Sequence, residues 1–149
     1  MDPTTPSADQ FRLASLLGVD ISDDSYDVAA ARLLDAVATS VGFEDSTASS
    51  DRQVEFAASL GLDVSSDTKR VASAKISCSL HRRNVEQAAQ LNLKPGDRVI
   101  RIDKVEIDGV WQAIEQEFVV SSVQANGRIF FKGGNGQGAW PSQVRKVSA

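Results

Sequence analysis

The sequence predicts an α+β protein, in which an N-terminal helical region of two repeated helix–loop–helix units is followed by a small C-terminal β-barrel. Three observations predict this class. One pattern recurs after 43 positions, the apolar spacing changes from helical to alternating near residue 97, and Asn-Gly and Gly-rich segments then follow. We place the two units at 7–42 and 50–92 and the barrel at 95–148.

The repeat is visible without gaps when residues 10–33 are laid over residues 53–76. Ten of the aligned positions are identical, which chance explains poorly. The identical pairs are Gln10/Gln53, Ala14/Ala57, Leu17/Leu60, Gly18/Gly61, Asp20/Asp63, Ser22/Ser65, Asp24/Asp67, Val28/Val71, Ala29/Ala72 and Ala31/Ala74. Because so short a unit buries little surface, we expect each copy to be stable only when it packs on its twin or on the rest of the chain.

Each copy is expected to form a helix, an extended loop and a second helix. In the first copy, the capping box Ser7-x-x-Gln10 opens the first helix, Gly18 ends it, and Asp24 is expected to cap the second helix. The same positions in the second copy are Ser50, Gln53, Gly61 and Asp67. Residues 43–52 are the expected linker between the copies.

The second helix of the second copy is expected to extend to about Leu91, and the sequence Lys94-Pro95-Gly96-Asp97 predicts a type II turn after it. Alternating segments rich in Val, Ile and Phe then predict strands at 98–102, 117–123, 128–132 and 144–147. Closure into a barrel is expected because it removes exposed strand edges.

The connections between these strands differ in their signals. Asn126-Gly127 predicts a type I′ hairpin turn, because both residues tolerate positive φ. The Gly-rich segment 133–138 is expected to be a flexible hairpin tip, and the long segment 103–116 is expected to be irregular. Alternation along a strand places one of Phe130 and Phe131 in the core and the other outside.

The last third of the chain contains three distinctive segments, namely residues 96–102 (GDRVIRI), the turn at Asn126-Gly127 and the ending 138–147 (GAWPSQVRKV). In these features the stretch resembles an SH3-like barrel. The resemblance implies a Pro-Ser step, one turn of 3₁₀ helix and a last short strand within Trp140–Val144.

The second helical copy contains Leu60-Gly61-Leu62 and then the polar run 65–70 (SSDTKR) before an apolar helix. In this it is similar to the helix–extended loop–helix modules of the SAP family. The resemblance implies contacts to the DNA backbone from the loop and the start of the second helix. Carried over position by position, those contacts are Thr68, Lys69, Arg70 and Lys75. The first copy has Tyr26 and Asp27 where the second has Lys69 and Arg70, so the implication does not extend to it.

Charge is divided unevenly along the chain. The net charge is −4, yet residues 1–68 carry 3 basic and 13 acidic side chains, whereas residues 69–149 carry 13 basic and 7 acidic ones. The leading hypothesis is therefore a non-enzymatic nucleic-acid-binding protein whose basic second copy contacts phosphates. The supporting cations are Arg82 and Arg83 of the helix and Arg98, Arg101, Arg128 and Lys132 of the barrel. Two alternative roles stay open for these cations, namely solvation of the surface and pairing with the acidic first copy.

The alternative hypothesis is a protein–protein interaction adaptor. It would use the acidic first copy together with an aromatic face of the barrel, on which Trp111 and Trp140 are the expected contacts.

Few side chains suit catalysis or metal binding. With one Cys and one His, Cys78 and His81, the chain forms no internal disulfide and assembles no Cys/His zinc site. The glycines at 133–138 lack the Lys-Ser/Thr of a phosphate-binding loop. We therefore expect no enzyme activity, no cofactor, no metal and no small-molecule substrate. The polar start and the absence of a long apolar run predict a cytoplasmic protein without membrane attachment.

Overall fold

The computed structural model describes residues 4–43 and 47–147. Within these ranges, four helices precede a five-stranded antiparallel sheet, so the predicted α+β class is confirmed. The helices are α1 (Ala8–Leu17), α2 (Tyr26–Ser40), α3 (Asp51–Ser59) and α4 (Lys69–Leu91). The strands are β1 (Arg98–Ile107), β2 (Val110–Val123), β3 (Ile129–Phe131), β4 (Gly138–Ala139) and β5 (Val144–Lys146), with a 3₁₀ helix at Pro141–Gln143.

The chain divides into two compact units, Met1–Ser79 and Leu80–Ala149. The division falls inside α4, so the first unit contains α1 to α3 with the start of α4, and the second contains the end of α4 with the sheet. Of the expected linker at 43–52, residues 44–46 lie outside the described residues. After them, Ala48 forms an isolated antiparallel bridge with Thr68.

The starts of α1 and α3 follow the sequence closely. Both capping boxes are present, with Ser7 and Ser50 as N-caps and the side chains of Gln10 and Gln53 bonded back to the cap backbone. Gly18 ends α1 in the left-handed conformation, at φ 68°. These local hydrogen bonds satisfy helix-end donors without help from the rest of the fold, which is why sequence alone predicts them.

The starts of α2 and α4 correct the prediction by one residue. Ser25, not Asp24, caps α2 and accepts a hydrogen bond from Val28 N, while Thr68 Oγ1 accepts from Val71 N at the start of α4. The carboxylates of Asp24 and Asp67 instead accept hydrogen bonds from Arg32 and Lys75, which lie later in the same helices. A hydroxyl next to an aspartate is an equally good cap, and tertiary contacts decide between them.

Three small apolar clusters hold the first unit together. Ala14, Ile21, Ala29 and Leu33 form the cluster of the first helix pair. Ala57, Val64 and Ala72 form that of the second pair, with Ile76 packed against it. The third cluster joins α2 to α4 through Val28, Ala31 and Val71, with Ala74 and Cys78 at its margin.

The sheet has the strand order β4-β3-β2-β1-β5, so β4 and β5 lie at opposite edges. The expected closure into a barrel is therefore wrong. The 3₁₀ helix stands between these two strands in sequence, and β4 has only two residues with which to pair. Very short edge strands expose few unpaired backbone groups, so the sheet does not need to close in order to hide its edges. Closure was expected only because it hides such edges.

The segment 103–116 is a hairpin and not irregular. β1 and β2 pair in continuous register from Arg98↔Val119 to Ile107↔Val110. The chain reverses at Asp108 and Gly109, whose φ angles of 52° and 77° suit a type I′ turn. The Asp-Gly pair at this point is the sequence signal for the turn, and the prediction missed it.

The second predicted hairpin exists, with a different turn. β2 pairs with β3, and Gly127 N donates to Gln124 O at 2.9 Å. Gly127 has φ 89°, while Asn126 stays at negative φ, so a type I turn followed by a left-handed glycine replaces the expected type I′ turn. A Cβ at Gly127 would lie 2.7 Å from Asn84 O, which requires glycine here.

The core of the second unit is formed by side chains of all five strands. Its buried side chains are Val99, Val120, Ile129, Phe131, Ala139 and Val144, and the partly buried Leu91, Leu93, Phe118 and Val123 pack against them. Phe131 is the inward member of the Phe130/Phe131 pair, as alternation predicts, and stacks on Phe118 at 4.3 Å between ring centroids. The 3₁₀ turn lies where the SH3-like resemblance implies one.

Candidate interaction surfaces

The start of α4 holds an ion-pair cluster between the two helix pairs of the first unit. Asp35, on α2, accepts a hydrogen bond from Thr68 Oγ1 at 2.5 Å and pairs with Arg70 Nη1 at 2.8 Å. These three side chains line a cavity of about 380 Å³ together with Thr47, Lys69 and Ser73. Two of the predicted phosphate contacts, Thr68 and Arg70, are thus bonded to a carboxylate of the same unit.

Lys75, the next predicted phosphate contact, is also paired within its own copy. Its Nζ lies 2.7 Å from the carboxylate of Asp67. In the first copy, Arg32 lies at the same distance from Asp24 and forms two hydrogen bonds with it. The hydrogen bonds to Asp24 are the main reason why the pKa of Arg32 is raised. The two pairs are related by the 43-residue shift of the repeat, so the ion pair is a shared part of the two helix pairs.

Three predicted cations of α4 remain exposed. Lys69, Arg82 and Arg83 have no carboxylate within 4 Å among residues 4–43 and 47–147, and His81 beside them is exposed as well. These side chains are exposed and without an ion pair, whereas Thr68, Arg70 and Lys75 are bonded to Asp35 and Asp67.

The cations of the sheet are mostly engaged. Arg98 pairs with Glu117, and Arg101 Nε lies 2.8 Å from Asp103 while its guanidinium covers the ring of Phe118. Arg128 lies over the ring of Trp140, 5.1 Å from its centroid. Lys132 is exposed and carries no ion pair in the described part of the chain. The sheet therefore supplies few unpaired cations for a polyanion.

The two tryptophans lie in different surroundings. Trp140 is half-buried under Arg128, and its backbone N–H donates to Gln143 Oε1 at 2.8 Å, so it helps to hold the 3₁₀ turn. Trp111 follows the Asp108-Gly109 turn and is 68% exposed. Of the two predicted partner contacts, Trp111 is the accessible one.

Trp111 belongs to a larger apolar tip that the sequence analysis missed. We define the hairpin tip as residues 103–115; its exposed apolar members are Ile107, Val110, Trp111 and Ile114. The β1–β2 register places Ile107, Val110 and Ile114 on one face of the ribbon and Trp111 on the other. The signal in the sequence was the Asp108-Gly109 pair between two segments that contain β-branched residues.

In the loops of the first unit, two aspartates accept hydrogen bonds from serines two residues further along the chain. Asp20 Oδ1 accepts hydrogen bonds from the backbone N–H and the hydroxyl of Ser22, and Asp63 does the same with Ser65. These bonds stabilise the ionised carboxylates and lower the pKa of both aspartates.

No group of three His, Cys, Asp or Glu side chains in the described ranges is placed to hold a metal ion. None of the four described helices is both long enough and apolar enough to cross a bilayer. Comparison with family models, with curated proteins and with solved structures gives no match to the chain.

Proposed function

We propose that this chain is a protein–protein interaction module whose contact surface is the hairpin tip. The observation that carries the proposal is the exposure of Trp111, at 68%, beside Val110, at 59%, on a ribbon that extends beyond the packed sheet. A two-stranded ribbon is marginal in water by itself, and exposed aromatic and branched side chains are typical of interface centres.

The charge of the hairpin tip favours a protein over a nucleic acid. Between residues 103 and 115 there are four acids and one base, Lys104. A phosphate backbone would be repelled from such a surface, whereas a protein partner can cover its apolar side chains. The cluster of Asp35 with Thr68 and Arg70 supports the same choice, since it leaves the SAP-like contacts engaged.

The test places a photoreactive benzoylphenylalanine at position 111 of the full chain, with position 132 as the matched control in the same unit. Illumination in an extract of the source cells, or of the purified chain, is expected to link position 111 to a protein and position 132 to none. Adding Ile107→Asp is expected to abolish the link. Equal labelling at both positions, or none at 111, would contradict the proposal.

The proposal extends to the architecture of the two units. We infer that the first unit is a tandem duplication of one SAP-like helical module and the second an open SH3-like domain. The shared capping boxes and the shared Asp24–Arg32 and Asp67–Lys75 pairs support the duplication. The strand–3₁₀–strand ending supports the SH3-like assignment.

Nucleic-acid binding is the second candidate function. One observation favours it: Lys69, Arg82 and Arg83 are exposed along α4 without a carboxylate partner in the described ranges. The test titrates a labelled duplex at low and moderate salt, with Arg82→Glu/Arg83→Glu compared with Lys94→Glu/Lys104→Glu, which changes the net charge equally. Binding that weakens steeply with salt and fails in the first variant alone supports this function. No binding at low salt contradicts it.

We further propose that the module is not an enzyme, uses no cofactor and works in the cytoplasm. The free thiol of Cys78, half-buried and 3.3 Å from Ser25 Oγ, fits a reducing compartment.

A further inference from the structure

The edge of β2 that faces away from β1 has backbone N–H and C=O groups that pair with no described strand between residues 110 and 118. On the side away from β1, Val119 O accepts from Lys132 N at 2.9 Å. Because residues of an antiparallel strand direct their backbone groups alternately to either side, Glu117, Glu115 and Trp111 direct theirs to that same side. β3 pairs with β2 only from Val120 onward, so no described strand covers this edge between residues 110 and 118.

This edge also lacks the usual protection against pairing. Natural edge strands are commonly blunted by proline, lysine or a bulge. Residues 110–118 contain neither proline nor lysine, their two charged residues are Glu115 and Glu117, and the irregularity in the β2 register comes only between Val120 and Ser122. An edge of this length and composition is suited to receive another strand.

We propose that the occupant of this edge is a second copy of the chain, added antiparallel so that β2 pairs with β2 across a two-fold axis at Ile114. This inference rests on the proposed interaction function and names its partner. The pairing joins the two sheets edge to edge, in an isologous interface in which each copy contributes the same strand.

The register follows from charge and geometry. A two-fold axis normal to the sheet relates the two copies without turning the sheet over, so residues that pair across the axis lie on the same face. Because side chains alternate along a strand, the numbers of paired residues differ by an even number. One residue therefore pairs with its own counterpart at the axis. An axis at Glu115, residue 116 or Glu117 would place carboxylates opposite each other, which destabilises the pair. An axis at Ile114 pairs every residue from 110 to 118 and places Glu115 opposite Ala113 and Glu117 opposite Trp111.

The same register matches the apolar side chains. On one face it pairs Val110 with Phe118 of the other copy and Ile114 with its own counterpart, both favourable cross-strand pairs. Ile114 directs its backbone groups to β1, so the two Ile114 residues form a non-hydrogen-bonded pair with Cα atoms about 4.5 Å apart. The 59% exposure of Val110 and the 46% exposure of Ile114 are both reduced by the pairing.

The first test measures the mass of the full chain by sedimentation equilibrium over a concentration series. Wild type is expected to show a monomer–dimer equilibrium, and Ile114→Lys to raise the dissociation constant by about tenfold or more, because two ammonium groups meet at the axis. Val41→Lys, at a 64% exposed aliphatic position of the first unit, is the control and leaves the equilibrium unchanged. Ala113→Lys, which faces Glu115 of the other copy twice, is expected to tighten the dimer.

The second test reads the register directly. In a Cys78→Ser background, Ile114→Cys is expected to form a disulfide-linked dimer under mild oxidation, because the two Cα atoms lie within the range a disulfide spans. Gln112→Cys is the matched control, since its two copies would lie about 14 Å apart along the strands. Equal linking of both variants, or none of Ile114→Cys, overturns the register.

The outcomes separate this inference from the proposed function. If wild type sediments as a monomer at every concentration while position 111 still links to a different protein, self-association is wrong and the interaction function stands. If the chain is a monomer and position 111 links to nothing, both are wrong.

Discussion

At the scale of single residues, the carboxylate of Asp35 joins two side chains that lie 33 and 35 positions further along the chain. Its side chain, 13% exposed, accepts from the Thr68 hydroxyl and pairs with Arg70. Thr68 in turn caps α4, so one carboxylate fixes both the start of a helix and an ion pair across the two helix pairs. Counting charges by region predicted that the halves differ in sign, yet it could not show that these particular opposite charges meet.

Asp35→Ala is expected to lower the free energy of unfolding by about 1–2 kcal/mol, because it leaves the cap hydroxyl of Thr68 and the exposed guanidinium of Arg70 without their partner. Urea denaturation followed by circular dichroism measures the change. Asp9→Ala is the control: its pair with Arg12 is 88% and 78% exposed, and its loss is expected to cost under about 0.5 kcal/mol. Equal losses of stability in the two variants would show that the contacts of Asp35 contribute no more than an exposed ion pair.

Acid is expected to remove the contribution of Asp20 and Asp63. The pKa of each is lowered from the usual 3.8 by hydrogen bonds from Ser22 and Ser65. The folded state therefore binds these protons more weakly than the unfolded state, so the contribution is complete above the unfolded value and is lost as the pH falls through the folded one.

We expect Asp20→Asn/Asp63→Asn to unfold at lower urea than wild type at pH 7, and the gap between the two midpoints to be smaller at a pH below the ordinary value of 3.8. Urea titrations at both pH values measure the difference. A gap of the same size at both values would mean that the two carboxylates contribute nothing through their ionisation.

At the scale of elements, local signals predicted most helices and turns. The capping boxes, the end of α1 at Gly18 and the turn at Lys94–Asp97 are present, the last with Asp97 N donating to Lys94 O at 3.0 Å. The hairpin over 103–116 was missed although Asp108-Gly109 signals it. A strand exposed on both faces carries no inward stripe, so its period is weaker than that of a strand on a core.

Gly138, the first residue of β4, and Gly136, in the connection before it, are glycines for different reasons. A Cβ at Gly138 would lie 2.2 Å from Ile129 O, whereas at Gly136, which has φ 81°, it would meet nothing within 4 Å. Gly138→Ala is expected to cost about 3 kcal/mol because the β3–β4 pairing must shift, and Gly136→Ala about 1 kcal/mol of backbone strain. Thermal unfolding of both variants measures the order, and the reverse order would contradict this account of β4.

At the scale of the whole molecule, the sheet needs part of the last helix. Leu91 and Leu93 pack against the buried cluster of the second unit, so its compact boundary precedes the turn at which the strands begin. We expect the fragment 80–149 to unfold cooperatively and the fragment 95–149 to be less stable by about 2–4 kcal/mol, since it loses two apolar side chains. Equal urea midpoints for the two fragments would show that the helix contributes nothing.

The sequence by itself determined the α+β class, the order of the helices and the starts of α1 and α3 at their capping boxes, because these depend on hydrogen bonds and periods within a few residues. Only the tertiary structure decided that the sheet stays open, that Asp35 occupies the cations at the start of α4 and that the hairpin tip is uncovered. Each of these depends on distances between residues far apart in the chain, which local chemistry does not specify.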